Sequence, residues 1–92
     1  MHISLSIMRP NPGNESHTID SMHRFGQAAK TQPGLTLCTT MRDQETGELV
    51  GLAVWESEEA AKAAGPALMA AVENDDLDAW VAEMRNLRLE EV

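Results

Sequence analysis

The sequence predicts an α+β domain of the ferredoxin-like βαββαβ type, with a four-stranded antiparallel sheet and its helices on one face. Three observations predict it. Apolar residues alternate with period two in separate stretches, and helical spacing takes over between them. The order of these stretches is strand, helix, strand, strand, helix, short helix, strand, the split βαβ arrangement. Right-handed crossovers then put the first and third strands in the middle of the sheet. The whole chain, 1–92, reads as one small domain without repeat, linker or low-complexity segment.

The third strand, Leu49 to Trp55, organises the rest. Leu49, Gly51, Ala53 and Trp55 point one way and Val50, Leu52 and Val54 the other, so it is apolar on both faces, as a central strand is. The first strand, His2 to Met8, sets Ile3, Leu5 and Ile7 against Ser4, Ser6 and Met8. Arg9-Pro10-Asn11-Pro12-Gly13 is expected to stop it. A helix follows, capped by Ser16 or Thr18, with a stripe of Ile19, Met22, Gly26 and Ala29, and ends at Gln32-Pro33-Gly34. Leu35 to Arg42 alternates again. Asp43 to Gly47 is a hairpin loop with a left-handed residue expected at Gly47.

Ser57 is suited to cap the second helix, and Glu58 and Glu59 suit its first turn, where the helix dipole favours negative charge. Alanines dominate this helix, and Gly65-Pro66 predicts a kink or a restart within it. Asn74-Asp75-Asp76 reads as a turn. Leu77, Trp80, Val81 and Met84 repeat at three- and four-residue steps and predict a short helix capped by Asp76, with Trp80 in the core. Asn86 to Val92 is the last predicted strand.

Composition excludes several function classes. Fifteen acidic against seven basic side chains give a formal net charge of −8. A nucleic-acid or anionic-membrane partner needs a cationic face, and none is visible. Cys38 is the one cysteine, so no intrachain disulfide or cysteine metal cluster can form, and the three histidines are dispersed. No glycine-rich dinucleotide fingerprint is present, and no cofactor is expected. The start of the chain shows no secretory leader and no apolar run reaches membrane length, so a cytoplasmic protein is expected. One sheet face, either that of Val50, Leu52 and Val54 or that of Leu49 and Trp55, has no cover within the chain. A second copy packed sheet to sheet would supply it.

Pro33-Gly34-Leu35, the hairpin Asp43 to Gly47, and Ala53-Val54-Trp55-Glu56-Ser57-Glu58-Glu59-Ala60 resemble the antibiotic biosynthesis monooxygenase family of the dimeric α+β barrel superfamily. The resemblance implies a homodimer with a barrel between its sheets and a small pocket in each subunit between helices and sheet. Some members of that family oxygenate phenolic or quinol-like aromatics without metal or flavin, and others degrade haem. The haem-degrading members resemble one another in an asparagine on the first strand and a tryptophan and histidine on the second helix. Here the first strand has no asparagine, Ala64 and Asn74 stand at the other two positions, and no histidine follows Trp55. Haem degradation is therefore not expected.

For the aromatic reading, His23 beside the first helix stripe is the candidate base, since imidazole titrates near neutral pH. Trp55 is the candidate wall of the substrate site, next to the small Gly51 and Ala53, or else a core residue. Arg42 is a candidate anion-stabilising group. The row Ser4, Ser6, Thr36, Cys38 and Thr40 is small and polar and could line a cavity. Glu73, Asp75, Asp76 and Asp78 lack the spacing of a calcium loop and read as a solvated turn. Two functions remain open: a cofactor-independent oxygenase of an electron-rich aromatic, and a non-catalytic domain that binds a small apolar molecule or dimerises.

Overall fold

The computed structural model describes all residues, 1–92. In chain order it has β1 (His2–Pro10), α1 (Glu15–Ala29), β2 (Leu35–Arg42), β3 (Leu49–Trp55), α2 (Glu58–Ala71), α3 (Leu77–Trp80) and β4 (Val81–Glu90). The four strands are antiparallel in the order β2-β3-β1-β4, so β1 and β3 are central, as the crossover rule requires.

Register settles which sheet face the helices cover. Leu49, Ala53 and Trp55 are buried under them, and each faces a β1 residue of the same parity: Met8, Ser4 and His2. The opposite face carries Ile3, Leu5 and Ile7 against Val54, Leu52 and Val50. The edge strands add Leu37, Met41 and Leu89 to this second face, between 41% and 48% exposed. Its most apolar surface is thus left bare.

The core lies between β3 and the two long helices. Trp55 and Ala53 pack with Ala29 of α1 and with Ala64 and Leu68 of α2. Alanines let α2 approach closely. Gly34, at φ +88°, shows how closely: a Cβ there would lie 2.6 Å from that of Ala60. The Gly34 carbonyl also accepts the Glu56 N–H at 2.8 Å, tying the turn after α1 to the end of β3.

Several local expectations hold at the atomic level. Ser57 Oγ accepts the Ala60 N–H, and Asp76 Oδ1 accepts that of Ala79. Gly47 has φ +79° and its N–H closes the hairpin onto the Asp43 carbonyl.

Others are corrected. Helix α1 starts earlier than either expected cap, after Asn14, so Ser16 and Thr18 lie inside it. The Thr18 hydroxyl bonds back to the Asn14 carbonyl at 2.8 Å. Helix α2 neither breaks nor restarts at Pro66. The ring is exposed, so the Lys62 carbonyl that loses its helical donor lies on the solvent side. Strand β1 continues through Arg9 and Pro10, and β4 starts at Val81 to pair with it. Beyond Met8 only β4 pairs with β1, and a proline is tolerated there as on an edge strand. Met84 is consequently on a strand, α3 is a single turn, and Trp80 is half-buried, stacked on His17 with ring centroids 5.0 Å apart.

Candidate functional site

Between the helices and the covered sheet face lies a cavity of about 360 Å³. It exists because of what the strands place there. Opposite the bulk of Leu49 and Trp55, the middle of the sheet offers only Ser4, Ser6, Gly51, Ala53, Cys38 and Thr40, too small to fill the space beneath the helices. Four of these belong to the small polar row seen in the sequence. Thr36, the remaining member, is exposed, because the β2 register shifts between Leu35 and Leu37.

Helix α1 contributes Ser21, Met22 and Phe25 to the wall, and α2 contributes Met69, followed by Val72 just past its end. Strand β4 adds Met84, Asn86 and Arg88 from its helix-facing side. Met69 and Met84 are 59% and 40% exposed and form the rim. Thioethers are polarizable and flexible, so this rim can adapt to a flat apolar guest. Ser6 Oγ donates to Asn86 Oδ1 at 2.8 Å across β1 and β4, which fixes the amide and turns a second polar group into the wall. Arg88 is the one charged side chain on that wall, and no histidine or carboxylate lines it.

The thiol of Cys38 also faces this space. Burial pushes its pKa up, against the opposing charge of Lys30, so it stays protonated at neutral pH.

The residues singled out from the sequence are dispersed around the cavity. Trp55 is 1% exposed and packs in the core behind Ala53. Arg42 is ion-paired with Glu15 in the first turn of α1, both about half exposed. His23 is exposed and borders a shallow groove of about 220 Å³ between α1 and β2. Met22, Cys38, Thr39 and Thr40 border both groove and cavity, so the two adjoin. Ser21, Asn86 and Arg88 were not singled out. Arg88 and Asn86 belong to a strand whose start was misplaced, and Ser21 lies beside the expected stripe of α1 rather than on it.

The acidic turn is not uniformly solvated. Asp76 caps α3, whereas Asp75 turns inward, its side chain 10% exposed, with Oδ1 2.6 Å from Arg24 Nη2. No three histidine, cysteine, aspartate or glutamate side chains come together as a metal site would need. No helix is long and apolar enough to cross a membrane.

The split βαβ fold that holds this cavity has close structural parallels. A protein of Deinococcus radiodurans assigned to the antibiotic biosynthesis monooxygenases superimposes with a TM-score of 0.84 over 100% of this chain and 93% of its own, at 18% identity. One of Chloroflexus aurantiacus with the same assignment gives 0.76 at 20% identity, over 99% of this chain and 92% of its own. SnoaB of Streptomyces nogalater, a cofactor-independent oxygenase, gives 0.76 at 17% identity, over 99% and 93%. The fold is that of the antibiotic biosynthesis monooxygenases. No protein-family model matches the chain. No curated protein is significantly similar to it in sequence. The likeness is therefore carried by architecture, which hosts more than one chemistry.

Proposed function

We propose that this chain is an oxygenase of the antibiotic biosynthesis monooxygenase type, acting without a resident cofactor on a small phenol- or quinol-like aromatic held in the cavity. The observation that carries this reading is the cavity itself, apolar over most of its wall, with a few fixed polar groups and one guanidinium. It is supported by the shared fold with SnoaB. In this reading an electron-rich ring gives its electrons directly to dioxygen. One oxygen atom enters the organic product and the other leaves as water. The protein's part is to orient the ring, exclude water and manage the ring hydroxyl's proton.

A ligand long enough to pass Met22 also reaches the groove where His23 stands, and there the imidazole acts as the base. Trp55 serves from behind Ala53 as a rigid support for the floor, and Arg42 holds the start of α1 through Glu15. The bare sheet face closes against a second copy of the chain, giving a homodimer with a barrel between its sheets. With its free Cys38 thiol, the protein works in the cytoplasm.

One observation favours a second reading. The cavity wall carries no histidine or carboxylate, which suits a domain that binds a small aromatic without transforming it. Oxygen consumption by the purified protein with a panel of quinols and naphthols decides between the two. Uptake above buffer, with product heavier by oxygen, is expected, and His23→Ala should slow it by about 10²-fold. Ligand binding without oxygen uptake would select the second reading, and full activity of His23→Ala would remove the base from His23.

A further inference from the structure

Asp75 has a buried carboxylate oxygen without a partner. Its Oδ1 accepts from Arg24, but Oδ2 is shut off from solvent and has no hydrogen bond. An unpartnered buried carboxylate oxygen is costly, and in a small domain it calls for an explanation. The neighbour that supplies one is Ser21. This serine is 3% exposed, on the inner side of α1, and lines the cavity together with Val72 and Leu77, which flank the Asp75 turn. One turn earlier on the same helix, Thr18 commits its hydroxyl to a backbone carbonyl. Ser21 lies one turn before Arg24 on α1, so the Arg24–Asp75 pair sets the carboxylate against the side of the helix that carries the Ser21 hydroxyl. There it assists the larger effect of Arg24 in holding the carboxyl below its ordinary range, though without an aligned hydrogen bond.

A serine hydroxyl has one proton and two lone pairs, and an ionised carboxylate can only accept. We propose that Ser21 and Asp75 form the hydroxyl-reading end of the cavity: the Ser21 O–H donates a hydrogen bond to Asp75 Oδ2 and so presents an Oγ lone pair inward, as an acceptor for an O–H or N–H of the ligand. Arg24 anchors the carboxylate from the solvent side, and the small rotation of Ser21 that aligns its proton with Oδ2 satisfies the orphan oxygen at the same time. Ser21 touches the ligand, and Asp75 is a positioning residue that acts through it. The ligand class is an aromatic with a free hydroxyl or amine, and a ring whose hydroxyl is methylated is disfavoured, since Oγ then faces no donor. This inference rests on the aromatic-binding reading of the cavity given above.

Paired titrations of the intact protein with 2-naphthol and 2-methoxynaphthalene, followed by calorimetry, test it. The naphthol should bind more tightly than its ether by about threefold to tenfold, the range of a single hydrogen bond. Ser21→Ala should bring the ratio of the two affinities to about one, and Asp75→Asn should lower it. A general loosening of the fold would weaken both ligands together and leave the ratio unchanged, so the ratio separates positioning from structural support. If one variant fails to fold, the other still reads the ratio. Equal binding of the two ligands to the unmodified protein would overturn the proposal while leaving the cavity reading intact. So would a ratio unmoved by Ser21→Ala or Asp75→Asn. Binding of neither ligand would remove the cavity reading and the hydroxyl-reading end with it.

Discussion

The covered face of the central strands carries Leu49, Gly51, Ala53 and Trp55 beside Ser4, Ser6 and Met8, and the bare face carries Val50, Leu52 and Val54 beside Ile3, Leu5 and Ile7. The more continuously apolar face is the one the chain leaves open. Its β-branched and leucine side chains make an even surface, suited to another sheet. The covered face alternates large and small residues. Trp55 and Leu49 fill the space under the helices at two points, and Ser4, Ser6, Gly51 and Ala53 leave it empty between them. Burial and hydrophobicity therefore diverge within one sheet. One face leaves a cavity beneath the helices, and the other leaves an even apolar surface outside the chain.

The largest expected effect separates the two faces outright. Leu52→Asp puts a charge in the middle of the bare face without touching the core around Trp55. Light scattering at micromolar concentration should give about twice the 10.1 kDa chain mass for the unmodified protein. The variant should give a monomer or an aggregate. A monomeric unmodified protein would break the comparison, because the bare face would then be wet.

Trp55→Ala attacks the covered face instead. Removing a fully buried tryptophan costs about 3–5 kcal/mol, a large share of the roughly 5–15 kcal/mol that holds a domain together. Denaturant unfolding at fixed protein concentration should show the loss, while the folded fraction still associates. A loss below about 1 kcal/mol would mean that the hollow middle of this face already lets the core collapse around the missing ring.

The smallest effect sharpens the account of the cavity. A Cβ at Gly51 would lie 3.2 Å from Met22 Cε, the far end of a flexible side chain that can yield. Gly51→Ala should change stability by less than about 1 kcal/mol, since reduced freedom of the unfolded chain offsets the crowding. The same methyl narrows the cavity and should weaken 2-naphthol binding several-fold. Unchanged binding would show that the ligand does not reach the middle of the sheet.

Much of the fold was legible because local rules acted where they are strongest. The alternation of β1, β2 and β3, the caps at Ser57 and Asp76 and the left-handed Gly47 are each decided within a few residues. The stretch from Leu77 to Met84 was misread because apolar residues at three- and four-residue steps also fit a helix turn followed by alternation. The pairing of Arg9 and Pro10 with Glu83 and Val81 resolved it. Of the site, the row Ser4, Ser6, Cys38 and Thr40 was visible as a pattern. Ser21, Asn86 and Arg88 were not, because nothing in their neighbours marks them.

By itself, then, the sequence determined the element order, the strand parity and, through the handedness of crossovers, the strand order. These follow from backbone geometry and from periods that each segment carries internally. Only the tertiary structure decided which parity faces the helices, since both faces of β3 are apolar and the choice depends on where α1 and α2 dock. It also decided that Trp55 is core and that Arg42 meets Glu15. Asp75, one acidic residue of four in a polar turn, is set against Arg24 and Ser21 by the same docking. A side chain's partners come from elements distant in the chain, and no local period encodes where those elements will lie.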